Sequence, residues 1–208
     1  METAVRRVAA AALAVASLAA PAGAAERRYV VVPEQSRVTV HVGRAGLFGF
    51  AGHEHEVVGP VAQGEVATDE EQPARSTVTL EFATAALKVT GRGEPAKDVP
   101  KVQEKMLGPE VLDAQRHPRV SFRSTSVSAT PAGAGAWDLK VRGDLTLHGV
   151  TRPVDLPVRV TRAGDDLRAT ARTTIRHTDF GMKPVSVAGV VKVKNELTLE
   201  FDIAARAR

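Results

Sequence analysis

The chain predicts an all-β fold of long antiparallel strands, each with one dry face and one wet face. Three runs carry this reading. From Trp137 to Leu147 the odd positions are Trp137, Leu139, Val141, Gly143, Leu145 and Leu147, whereas the even ones are Asp138, Lys140, Arg142, Asp144 and Thr146. The alternation returns at Leu167, Ala169, Ala171, Thr173 and Ile175, and again at Val191, Val193, Asn195, Leu197, Leu199, Phe201 and Ile203. Successive strand side chains point to opposite faces, so strict alternation separates a buried surface from a solvated one. Long one-faced strands either stack as two sheets or close into a barrel, and a closed barrel can hold a ligand in its dry interior.

The elements follow in chain order. Residues 1–24 read as a secretory signal peptide: Arg6 and Arg7 lead, Val8 to Ala20 is an Ala/Leu/Val run, and Ala22-Gly23-Ala24 fits a small-x-small cleavage site. The run is shorter than the ~20 residues a membrane-spanning helix needs. Residues 25–208 then form one domain. Tyr29 to Val32 is a short strand stopped by Pro33, and Ser36 to Val42 places Val38, Val40 and Val42 on one face. Gly43 to Gly52 is glycine-rich and carries Phe48 and Phe50. Val57 to Ala67 is a strand broken at Gly59-Pro60, Asp69 to Pro73 a turn, and Thr77 to Phe82 another alternating strand. One short helix is predicted near 98–107, with Asp98 as N-cap, Pro100 in the first turn, and Gly108-Pro109 as its stop. A short turn is expected from Glu110 to Ala114, then a strand from Val120 to Val127 and a loop from Thr130 to Ala136. His148 to Pro153 is expected to form a corner between two of the long strands.

Composition narrows the function. The net charge of +4 becomes +3 once Arg6, Arg7 and Glu2 leave with the signal segment. The remaining charges alternate along strands and do not cluster, which excludes a nucleic-acid footprint. The absence of cysteine excludes thiol chemistry, cysteine metal sites and disulfides. No serine stands in a Gly-x-Ser-x-Gly elbow and no Gly-rich phosphate loop precedes a helix, so no catalytic set is assigned.

His53-Glu54-His55-Glu56 is the one metal-like motif. His53 and His55 share a face if the segment is extended, and two imidazoles make half a zinc or copper site. His41, His148 and His177 are the candidates for a third ligand. The alternative is a solvent-facing or hydrogen-bonded pair at a strand end, and no metal site is assigned. Phe48, Phe50, Phe122 and Phe201 are core fillers or ligand wall; in a barrel one wall does both. Leu145, Leu147, Leu199 and Phe201 have dry-face parity. Asn195 breaks the dry face, as a hydrogen-bonded core amide or as a polar handle for a ligand head group.

Several motifs together resemble the YceI-like family. Leu112-Asp113-Ala114 followed by His117-Pro118-Arg119-Val120-Ser121-Phe122-Arg123-Ser124 resembles its "L-D-A…P-x-I-x-F-x-S" segment. Gly143 to Val154 resembles "G-x-L-T-x-x-G-V-T-K/R-P-V", and Ile175-Arg176 through Asp179-Phe180-Gly181-Met182 resembles "I-x-R-x-D-F-G-M". Pro33-x-x-Ser36-x-Val38 matches its opening strand. The resemblance implies a lipocalin-like, up-and-down antiparallel β-barrel of about eight strands with a helix near one end. It implies an exported protein, periplasmic or secreted, that is not an enzyme and needs no cofactor. Its ligand would be a long-chain isoprenoid lipid such as a polyprenyl phosphate or a quinone. From their own positions, Phe48, Phe50, His53, His55, Phe122, Leu145, Leu147, Asn195, Leu199 and Phe201 are the residues expected to contact such a ligand. A transient membrane contact and a homodimer are compatible with this reading; nucleic acid is not a partner.

The chain departs from the family at Val42-Gly43-Arg44 and Phe50-Ala51-Gly52-His53-Glu54-His55, where members read "V-K-H-x-x-(V)-x-G-x-F". The His-x-His variant lies where strands approach the ligand mouth in the family. The rival function is therefore a metal-binding or redox accessory protein using His53 and His55.

Overall fold

The computed structural model describes residues 26–45, 54–69, 72–184, 186–187 and 191–208. Residues 1–24, expected to be a signal peptide, and Phe48, Phe50 and His53 lie outside the described residues. The strands are β1 (Arg27–Val31), β2 (Arg37–Ala45), β3 (His55–Pro60), β4 (Gln63–Thr68), β5 (Thr77–Ala83) and β6 (Lys88–Val89). After helix α1 (Val99–Leu107) come β7 (Arg119–Pro131), β8 (Ala136–Leu147), β9 (Val150–Ala163), β10 (Asp166–Arg176), β11 (Ser186–Val187) and β12 (Val191–Ala207). All pairings are antiparallel, and β12 closes the ring by pairing with β10 on one side and with both β2 and β1 on the other. Segments β1–β2, β3–β4 and β5–β6 act as three long, kinked strands, because β4 pairs with β1 and β5 while β3 pairs with β2 and β6. The result is a closed barrel of eight long strands, and the barrel alternative prevails over two stacked sheets.

The three kinks are stitched at one level. Pro33 opens a short 3-10 turn, and the missing ladder bonds are replaced by Ser36, whose buried hydroxyl donates to the Ala204 carbonyl and accepts from the Ala204 N–H. Val61 donates its N–H to the Ser36 carbonyl, and Ala62 donates to Glu81. The second kink falls at Val61-Ala62, and Gly59-Pro60 belong to the end of β3. At the third, Thr84 donates its hydroxyl to the His117 carbonyl and its N–H to the Pro118 carbonyl.

The predicted faces hold. Val141, Leu145 and Leu147 are buried, Trp137 and Leu139 partly so, and Asp138, Lys140, Arg142 and Asp144 are exposed. On the outer face, charges pair across strands, as in Arg159–Asp138 at 2.8 Å and Arg172–Glu200 at 3.1 Å. Such exposed pairs contribute at most about 1 kcal/mol each. Gly143 interrupts the dry ladder because the Phe122 ring fills its place: a Cβ there would lie 2.4 Å from Phe122 Cζ and 2.6 Å from the Arg123 carbonyl oxygen.

Three local expectations need correction. The corner at His148–Pro153 is only a two-residue turn, His148 (φ 52) and Gly149 (φ 73), and β9 resumes at Val150. Both residues take the left-handed conformation that a tight hairpin demands. Pro153 and Pro157 sit within β9, which pairs with β8 throughout but with β10 only from Val158↔Ala171 onward. The prolines thus lie where one ladder is already absent. The strand after the helix runs on to Pro131, so the loop before β8 is shorter than expected. Asp98 occupies the N-cap position of α1 but makes no capping bond with its side chain.

Candidate functional site

The dry faces enclose a cavity of about 270 Å³ that runs along the barrel. Its wall includes Tyr29, Val141, Leu156, Leu199, Phe201 and Ile203. At one end it reaches Thr68, Ser76 and Arg162; at the other it reaches Met106, Leu112 and Met182. The lumen is narrow: Phe82 on β5 and Phe201 on β12, from strands that do not pair, bring their ring centroids to 6.3 Å.

The second end is covered. The β5–β7 ladder stops at Ala83↔Arg119, which would leave the outer edge of β6 bare. Helix α1 covers it with one side chain: Gln103 Oε1 accepts from the Val89 N–H at 2.8 Å, and Gln103 Nε2 donates to the Leu87 carbonyl at 2.9 Å. Met106 on the same helix faces the lumen, with Val111 and Leu112 from the turns that follow. Phe180 and Met182, 1% and 2% exposed, fill the space beneath the β8–β9 hairpin end together with the left-handed Gly181.

Of the sequence-predicted site residues, Phe122, Leu145, Leu147, Leu199 and Phe201 line the cavity. Asn195 does not. Its side chain accepts from the Thr178 N–H at 3.1 Å and donates to Thr178 Oγ1 at 3.0 Å, so its polar atoms serve the turn after β10 and not the lumen. This corrects the polar-handle reading in favour of the hydrogen-bonded amide. His55 starts β3 opposite Val42, at the helix-covered end. Its Nδ1 lies 2.8 Å from Oε1 of Glu94, a carboxylate only 1% exposed, although neither atom is aligned for a hydrogen bond. His41 faces outward beside Glu200. His148 and His177 are not brought to His55: among the described residues the only metal-spaced set contains neither His55 nor His177.

His177 lines the lumen and is 5% exposed; its Nδ1–H donates to the Asn195 carbonyl at 3.1 Å. Burial pushes its pKa below the ordinary 6.5, against the opposing pull of backbone bonds to Asn195 and Lys194. The unfolded chain therefore takes up this proton more readily, and stability is lost as pH falls below about 6.5. Between pH 7 and pH 5 the Tm of the parent is expected to fall more steeply than that of His177→Gln, with a ceiling of about 1.4 kcal/mol per pH unit. Parallel Tm-against-pH curves would remove His177 from the acid response.

Sequence reasoning missed Tyr29. It is fully buried, lines the cavity, and its hydroxyl finds no hydrogen-bond partner among the described residues. The Arg27 guanidinium lies 5.4 Å from its ring centroid. A lone tyrosine in a short strand looks like core, and only the closed ring reveals a buried hydroxyl with no hydrogen-bond partner among the described residues.

A family model described as a YceI-like domain matches residues 29–205. A UPF0312 protein of Pseudomonas putida strain W619 is 32% identical over 126 residues, 58% of this chain and 59% of its own length. The chain thus spans about three fifths of the length of the first curated relatives it matches. A UPF0312 protein of Shewanella putrefaciens strain CN-32 is 28% identical over 175 residues, covering 80% of this chain and 83% of its own. Among solved structures, Burkholderia cenocepacia BcnA aligns with a TM-score of 0.61 at 18% identity, over 84% of this chain and 98% of that one. A polyisoprenoid binding domain from Saccharophagus degradans, implicated in plant cell wall breakdown, aligns with a TM-score of 0.62 at 11% identity, over 86% and 98%. At these identities the two structures share the fold.

Proposed function

The chain belongs to the YceI-like family, and we propose that it is an exported binding protein that holds a long-chain isoprenoid lipid in its lumen. It acts as a carrier or sequestering protein without turnover. The observation that carries this reading is the cavity itself, about 270 Å³ with an almost wholly apolar wall. At about 24 cal/mol per Å³, leaving such a volume empty costs roughly 6 kcal/mol, comparable to the net stability of a small domain. A linear apolar chain offsets that cost, at about 0.8 kcal/mol for each CH₂ buried. The likeness to the Saccharophagus degradans polyisoprenoid binding domain supports an isoprenoid as the occupant. Residues 1–24 supply the export signal, placing the protein in the periplasm or outside the cell.

The test is an organic extract of protein purified from an exporting host, read by mass spectrometry. One isoprenoid lipid near one equivalent per chain is expected. A chemically bare extract, or a lipid of unrelated class at that stoichiometry, overturns the proposal. Metal analysis of untagged protein tests the rival reading, in which His53 and His55 serve a metal or redox role.

Tyr29 gives a second readout. An enclosed, unpaired hydroxyl costs about 1–3 kcal/mol, and a ligand oxygen is what would satisfy it. Tyr29→Phe is expected to raise the Tm of the lipid-free protein and to reduce the lipid retained on purification. A lower Tm with unchanged lipid would show that the hydroxyl has a protein partner instead.

A further inference from the structure

We propose that Asp113, His117 and His148 form a site for one divalent transition-metal ion of the zinc type, on the covered end of the barrel and outside the lumen. The inference stands independently of the lipid reading. Asp113 and His117 lie in the turns after α1, while His148 lies on the β8–β9 hairpin, and folding brings one ligand atom from each within 4.8 Å of the others. The two imidazoles meet edge to face, with centroids 5.1 Å apart and planes at 72°. A tetrahedral zinc ion with bonds of 2.0–2.1 Å needs ligand separations of about 3.3 Å, so side-chain rotations that close up to roughly 1.5 Å complete the site.

Three features show that the set is oriented before any ion arrives. First, His148 Nδ1 lies 3.1 Å from the Phe180 carbonyl oxygen. A carbonyl only accepts, so the proton sits on Nδ1 and the lone pair is left on Nε2, the outer-shell arrangement that metal-bound histidines use. Second, the His117 ring lies directly on the hairpin: a Cβ at Gly149 would come 2.4 Å from its Cε1. The backbone N–H of His117 also donates to the Asp113 carbonyl at 2.8 Å. Third, Asp113 (φ 43) and His148 (φ 52) are the two non-glycine residues with positive φ among the described residues, and both belong to this set. Backbone held in that region concentrates at functional positions.

The ligand chemistry selects the ion. Two imidazoles and one carboxylate suit zinc, copper or nickel, whereas calcium and magnesium favour all-oxygen shells. Three protein ligands leave a fourth position for water or an anion. The nearest competing cation is Arg116, 3.8 Å from the Asp113 carboxylate, but its side chain is 81% exposed and free to swing away. A bound ion would tie the turn after α1 to the hairpin and, through Phe180, to the residues that fill this end of the barrel. Sequence reasoning grouped His148 with His53 and His55; the fold groups it with His117 instead.

The test uses full-length mature protein without an affinity tag, stripped with a chelator. Titration with Co²⁺, followed by visible absorption, and with Zn²⁺, followed by calorimetry, is expected to show one saturable equivalent. Asp113→Asn and His117→Gln should each weaken Zn²⁺ binding by at least about tenfold. His117→Gln combined with His148→Asn should abolish the Co²⁺ spectrum; asparagine tolerates the left-handed turn, so the hairpin is kept. His41→Gln, on the outer face, should bind as the parent does. Far-UV circular dichroism confirms that each variant is folded. A parent that takes up no equivalent overturns the proposal, as do variants that bind Zn²⁺ like the parent.

Discussion

Leu199→Lys is expected to empty the lumen without unfolding the barrel. Leu199 is 8% exposed, lies in the middle of β12 between Thr173 and Val40, and faces the cavity. In a filled core, a lysine there would bury an uncompensated charge, and the cost would unfold a marginal domain. The cavity changes the outcome. A water needs only about 10–15 Å³ of such space, so a lumen of about 270 Å³ holds several around an ammonium group. The same waters remove the apolar contact on which an isoprenoid depends. Retained lipid is expected to fall below about a tenth of the parent level, a loss of at least 1.4 kcal/mol in binding, while far-UV circular dichroism stays native. Leu199→Met, which keeps volume and apolarity, should retain lipid. A Leu199→Lys variant that simply unfolds would favour a filled core over a ligand tunnel.

What the sequence made legible is the wall. Strict alternation in β8, β10 and β12 assigned each side chain to a face, because a one-residue slip would have buried Lys140 and Arg142. The same parity picked out Leu145, Leu147, Leu199 and Phe201 before any strand was paired. It failed at Asn195, which has the right parity but lies where the β12–β2 register shifts between Val193 and Leu197. A bulge re-aims side chains locally, and alternation alone cannot locate it.

The ends of the barrel were far less legible, for a physical reason. They are built from single contacts between segments distant in sequence, and no periodicity records those. Gln103 satisfying the edge of β6, Ser36 stitching a kink to Ala204, and Glu94 buried against His55 all depend on side chains that look like ordinary surface residues. The set of Asp113, His117 and His148 is of the same kind. Its one local trace is His148-Gly149, a dipeptide suited to a left-handed hairpin turn that was read as the start of a longer corner.

Phe180→Ala should have the largest effect on stability. The residue closes a short 3-10 turn, His177 to Phe180, and is 1% exposed. In the sequence this segment stands out only as a family-like motif, yet the Phe180 ring is among the most deeply buried of the described residues. Gly181, at φ 71, turns the chain so that Met182 packs in behind it. Truncating a buried phenylalanine typically costs 3–5 kcal/mol, from lost apolar burial and from the cavity that remains. The upper half of that range is expected here, because the flanking left-handed turn and the His148–Phe180 bond hold the backbone and limit collapse into the hole. Urea unfolding is the measurement: the midpoint should drop with an unchanged m-value, as for a loss of native packing. Phe180→Leu should recover more than half of the loss. A change below about 1 kcal/mol would mean that this end of the barrel repacks freely and that Phe180 is not what fills it.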